Sequence, residues 1–183
     1  MNRIITFAII IMGILLCNAC ARNSISEELR LFKEQAVVLP DNLLAQNNDS
    51  RMSADTTLLN RPYRMIVYFN LGDCKECVLR SLVPVYLFML ENEHRENFGV
   101  IFILHTPEIE SANAILTNMR FFRTVFYDID GSFERLNPYL PENEQYRIFL
   151  LNAENKIVLA GSFADSEMFR RRYSAELDRL GTL

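Results

Sequence analysis

Asn70-Leu71-Gly72-Asp73-Cys74-Lys75-Glu76-Cys77 places two cysteines two residues apart, between a short apolar run (Met65 to Phe69) and a long one (Val78 to Leu90). The first run has the length of a buried strand and the second that of a helix. The pair therefore falls where a strand turns into a helix. At a helix N-terminus the free amides and the positive dipole end favour thiolate over thiol. Two thiols at this spacing and in this place point to thiol–disulfide exchange.

Arg64 to Asn70 is nearly continuous apolar sequence, as expected of a central strand covered on both faces. The spacing predicts a helix over 75–93, with Leu79, Leu82, Val83, Tyr86, Leu87 and Leu90 inward. A second apolar strand follows over 99–105, which makes a strand–helix–strand unit with parallel strands. A second helix is expected over 107–120, with Ile109, Ala112, Ile115, Leu116 and Met119 inward. A third strand is expected over 124–127, an Asp-Ile-Asp-Gly turn at 128–131 and a short irregular or helical piece over 133–140. Strands over 146–151 and 156–160 flank a tight turn at 152–155 and form a hairpin. A last helix over 165–180 should bury Met168, Phe169, Tyr173, Leu177 and Leu180.

Upstream, Arg3 precedes an apolar run from Ile4 to Leu16. As a helix it spans about 20 Å, short of the roughly 30 Å hydrocarbon core. A basic start, this run and the small residues after it describe an export signal. Between signal and domain, a short helix over 24–35 and a small strand over 36–39 are expected. Residues 41–62, rich in Asn, Asp, Ser and Thr, read as a surface loop. The organisation expected is a signal over 1–19, an N-terminal segment and linker over 20–62, and one α/β domain over 63–183.

The 183 residues carry a net charge of −4 and no long basic run, which argues against a nucleic-acid partner. Four cysteines are too few for a disulfide scaffold. A zinc site on Cys74 and Cys77 would need further ligands, and only the distant His94 and His105 are available elsewhere in the sequence, so no metal is expected. Asp128, Asp130 and Asn137 lack the spacing of a calcium loop and read as a turn. His105, at the end of its strand, faces the same end of the sheet as the cysteines; it is a candidate proton donor or a strand cap. Arg170-Arg171-Arg172 reads as a solvated helix face.

Two resemblances sharpen these expectations. Leu15-Leu16-Cys17-Asn18-Ala19-Cys20 resembles the lipobox of bacterial lipoproteins. It implies cleavage before Cys20, acylation of Cys20 and a membrane tether on the exported side. The order of elements, with Phe149-Leu150-Leu151-Asn152-Ala153-Glu154-Asn155-Lys156-Ile157-Val158 as the hairpin, resembles the thioredoxin-like branch of exported bacterial lipoproteins, near the TlpA and alkyl-hydroperoxide-reductase type. The resemblance covers about Ala36 to Leu180. It implies a thioredoxin-like α/β fold with a mixed central sheet and no bound cofactor. It also implies Cys74 as nucleophile, Cys77 as resolving thiol, and protein thiols, disulfides or a redox protein as partners. Lys75 and Asp73 flank the nucleophile with opposite charges.

The sequence departs from that family at three places. Asp73 stands where Trp is usual, Tyr68 falls near the place of a buried acid, and the position of the facing cis-proline falls near Arg147. A trans peptide is expected at Arg147, whose guanidinium would either reach toward Cys74 or stand exposed at the hairpin start. Two readings follow: a thiol–disulfide oxidoreductase, or a binding module that keeps a structural or vestigial disulfide.

Overall fold

The computed structural model describes residues 29–49, 51–72, 79, 82–161 and 167–181. Its centre is the apolar run ahead of the cysteines. Tyr63–Asn70 forms β2, and Met65 to Tyr68 are fully buried. Because side chains alternate across a strand, Met65, Val67 and Phe69 enter one core, and Ile66 and Tyr68 enter another on the opposite face. A strand with two cores has no polar side, which explains its unbroken apolar sequence.

Six strands make the sheet: β1 (Leu44–Asn47), β2, β3 (Phe98–His105), β4 (Thr124–Asp128), β5 (Ile148–Leu151) and β6 (Ile157–Ala160), in the order β1-β4-β3-β2-β5-β6. β2, β3 and β4 run parallel. The hairpin β5–β6 lies antiparallel beside β2, and β1 lies antiparallel on the far edge. α1 (Leu82–Asn92) connects β2 to β3, and α2 (Ile109–Asn118) connects β3 to β4. The short α3 (Ser132–Leu136) follows β4, and α4 (Glu167–Gly181) closes the chain. The expected central unit, hairpin and closing helix are all present.

α4 is fixed by one side chain in particular. Tyr173, fully buried, shares its hydroxyl proton between the carbonyls of Ile148 (2.9 Å) and Gly161 (3.0 Å). Leu177 and Leu180 are buried beside it, but Met168, expected inward, is 61% exposed. The side chain of Phe169 and the expected cap Asp165 lie outside the described residues.

Upstream of β2 the structure corrects the sequence reading. Residues 36–39 form no strand; one antiparallel bridge joins Ala36 to Lys156. The side-chain amide of Asn137 takes the place of a strand partner, accepting from Val38 N and donating to Val38 O, both at 2.9 Å. Pro40 lacks the N–H that would extend a ladder. Within the expected loop, Leu44–Asn47 pairs with β4 and Thr56–Asn60 forms a 3-10 turn capped by Asp55. The sheet therefore begins upstream of residue 63. β1 is a half-exposed edge strand with only alternate residues covered, so its sequence needs little apolar content.

The inward face of α1 is also rotated from expectation. Leu82, Val85 and Phe88 are fully buried, whereas Val83 and Leu87 are 45% and 50% exposed. Leu82 to Leu90 is apolar at every position, so periodicity had no polar face against which to orient the helix. α2 follows the expectation: Ala112 and Leu116 are buried, with Ile109, Ile115 and Met119 packed at the margin.

Candidate redox site

The parallel strands end together. Asn70, His105 and Asp128, the last residues of β2, β3 and β4, sit side by side in the pairing register. The antiparallel β5 enters from the same end, where Arg147 O accepts from Tyr68 N at 3.1 Å. Open parallel sheets gather functional groups at this end. Leu71 N donates to His105 O at 3.0 Å, which ties the exit of β2 to the end of β3. Leu71 is buried, and the space where a side chain at Gly72 would stand is empty. From Gly72 the sequence continues into Asp73 and Cys74. Asp73, Cys74, Lys75 and Cys77 lie outside the described residues, as does Cys20.

His105 packs its ring on the β4–α3 turn. Gly131 adopts a left-handed φ of +69°, and a Cβ there would come within 3.1 Å of the imidazole Cε1. Glycine is thus required twice, for the backbone and for the ring. The buried Nδ1 of His105 makes no hydrogen bond. Asp128, its register neighbour, is committed elsewhere: it accepts from Ser132 N (2.9 Å), Ser132 Oγ (2.9 Å) and Phe133 N (3.0 Å). These bonds start α3 and account for the turn read in Asp128-Ile129-Asp130-Gly131. Among the described residues no group of three or more His, Cys, Asp or Glu is placed to hold a metal ion.

Arg147 does not stand exposed; its side chain is 14% accessible. Nε donates to Pro141 O at 2.9 Å, and Nη1 meets Glu134 Oε1 at 3.1 Å. The guanidinium lies over the Tyr68 ring, 5.8 Å from its centroid. No peptide bond among the described residues is cis. Tyr68 stacks on Phe133 with centroids 4.8 Å apart and is fully buried, and its hydroxyl has no hydrogen-bond partner. An unpaired buried hydroxyl costs about 1–3 kcal/mol. Burial pushes the Tyr68 pKa up, and the nearby Glu134 and Asp128 carboxylates add to the effect, so the ring stays neutral.

His105 and Arg147 thus both fall at this end of the sheet, Arg147 paired with Glu134 and His105 beside Asp128, two carboxylates that the sequence reading did not select. Asp128 carried a signal, since Asp-x-Asp-Gly-Ser marks a turn that caps a helix. Glu134 carried none. Its place beside Arg147 arises because α3 stacks Phe133 on Tyr68.

No family model and no curated protein matches the chain. Solved structures do match. A candidate thiol:disulfide interchange protein DsbE from Chlorobium tepidum is 16% identical, with a TM-score of 0.54 over 77% of this chain and 96% of that one. A thiol-disulfide oxidoreductase from Bacteroides fragilis is 11% identical, with a TM-score of 0.51 over 75% and 99%. The thioredoxin domain of a thiol-disulfide oxidoreductase from Bacteroides vulgatus is 13% identical, with a TM-score of 0.50 over 75% and 98%. Identities this low speak to architecture alone, and the architecture is the thioredoxin-like α/β fold.

Proposed function

We propose that the chain is a lipid-anchored, extracytoplasmic thiol–disulfide oxidoreductase working through Cys74 and Cys77. The supporting observation is positional: the two-cysteine motif follows directly on the end of the central parallel strand of a thioredoxin-like sheet. In this reading the Cys74 thiolate attacks a substrate disulfide. A bond forms between Cys74 and one substrate sulfur, and the other substrate sulfur leaves as a thiolate. Cys77 then attacks Cys74 in the mixed disulfide, which closes Cys74–Cys77 and releases the second substrate thiol. Two electrons pass to the substrate, and an external dithiol protein restores the reduced pair. No bound cofactor enters the cycle. Cys20, acylated after removal of residues 1–19, tethers the domain to a membrane.

A second reading has its own support. Arg147 holds a trans peptide and an ion pair beside β2, where the family resemblance implies a cis-proline. A site altered in this way suits a binding module whose disulfide is structural. Insulin-disulfide reduction, with the Cys74–Cys77 potential measured alongside, separates the two. The oxidoreductase reading expects turnover, its abolition in Cys74→Ser, and trapped mixed disulfides in Cys77→Ser. No turnover together with a potential below about −300 mV, the range of structural disulfides, would leave the binding module.

A further inference from the structure

Single exposed apolar side chains need no explanation, but a contiguous group of them marks a contact surface. Such a group lies where the described chain begins. Phe32, Ala36, Val37, Leu136, Pro138 and Tyr139 line one hollow of about 100 Å³. Phe32 and Val37 are buried, whereas Leu136 and Tyr139 are about half exposed. Val38, also about half exposed, is fastened beside them. Its N–H and C=O both bond the side chain of Asn137, the residue between Leu136 and Pro138. The hollow is well below the roughly 300–1,000 Å³ of small-molecule cavities, so it suits contact with a surface better than capture of a ligand.

We propose that the face formed by Val38, Leu136 and Tyr139 is lipid-facing and rests on the membrane to which Cys20 is anchored. The inference rests on reading Cys20 as the lipidated residue. Cys20 precedes Leu29, the first described residue, by nine positions. Nine residues reach at most about 32 Å even when fully extended. A domain of about 150 residues is itself roughly 35–40 Å across. The tether is thus shorter than the domain is wide, and it brings the side carrying residues 29–38 to the membrane most readily. That side bears the exposed apolar group. Tyr139 has the amphipathic ring that settles at headgroup depth, with its body in the apolar layer and its hydroxyl toward water. Among the described residues no helix is long and apolar enough to cross a membrane, so the contact is a peripheral one.

The chain contains no Trp, so a single introduced Trp reports its own surroundings. The chain from residue 20 onward, which retains every described residue, carries a histidine tag at its start. It is bound to phosphatidylethanolamine–phosphatidylglycerol vesicles through a nickel-chelating lipid. The tag sets the tether at residue 20 whether or not Cys20 is acylated. Brominated acyl chains in the vesicles quench a Trp that enters the interface. Tyr139→Trp should lose about half its emission or more, and adding Leu136→Ser should reduce that loss. Met168→Trp, exposed on α4 on the opposite side of the sheet, should keep its emission. Circular dichroism of each variant confirms its fold. Equal quenching at both positions, or none for Tyr139→Trp, would overturn the inference. So would an untethered chain that light scattering shows to be a dimer broken by Leu136→Ser, since a second copy would then cover the face. The mass of the mature protein from membranes is scored separately. An unacylated Cys20 with Tyr139→Trp quenched would sink the lipid-anchor reading alone. An acylated Cys20 without quenching would sink this inference alone.

Discussion

Like His105 Nδ1, the Tyr68 hydroxyl is a buried polar atom at the candidate site without a hydrogen bond. It is buried beneath Arg147 and has no hydrogen-bond partner, while its ring stacks on Phe133. Tyr68→Phe removes the polar atom and keeps the stack. Removing an unpaired buried polar group is neutral to stabilising. The urea midpoint should therefore hold steady or rise, within about 1 kcal/mol, and a clear loss would show that the hydroxyl bonds to Glu134 in solution. This corner also marks how far single residues can be read from sequence. Arg147 and His105 were identifiable because each lies at the boundary of a strong strand. Glu134 was not, because its partner is thirteen residues away and the two meet through the packing of one helical turn on the sheet. Cys74 and Cys77 stand out in the sequence by spacing and flanking hydrophobicity alone, and both lie outside the described residues.

At the scale of elements, legibility follows contrast. β2 and β3 stand out as apolar runs bounded by polar sequence, and the structure places them at Tyr63–Asn70 and Phe98–His105. β1 has little apolar content because an edge strand with one covered face needs little, and so it read as loop. α1 was legible as a helix but not in its rotation, since nine consecutive apolar residues define no stripe. The observed rotation has a direct consequence. Phe88 is fully buried and packs edge-on to Tyr173, with centroids 6.2 Å apart, whereas Leu87 is 50% exposed. Phe88→Ala should cost about 3–5 kcal/mol through lost burial and a cavity. Leu87→Ala should change stability by no more than about 0.5 kcal/mol. Chemical denaturation of the two variants distinguishes this rotation from the one periodicity suggested, which would reverse their order.

Across the whole molecule, the sheet separates two cores, and they are closed by different parts of the chain. The face lined by Met65, Val67 and Phe69 is covered by α1, α2 and α4. The opposite face is covered partly from upstream, by Phe32 and Val37, both 2% exposed, with Leu29, Leu39 and Leu43 packed at its margin. Phe32 meets Phe149 of β5 edge-on at 5.1 Å. Arg64 joins the upstream segment to the hairpin, donating to Leu59 O (3.0 Å) and to Asn155 Oδ1 (2.6 Å). The residues expected to tether the domain are thus part of its packing. Each large apolar side chain that loses burial costs about 1.5–3 kcal/mol, against a typical domain stability of about 5–15 kcal/mol. Removing β1 would also bare the β4 edge, an open template for association. A chain starting at residue 63 should therefore have a much lower denaturation midpoint than one starting at residue 29, and should aggregate as concentration rises. Light scattering and urea denaturation of the two chains measure both effects. Equal midpoints and a monomeric short chain would show that residues 29–62 are a tether after all, and that the second core is complete without them.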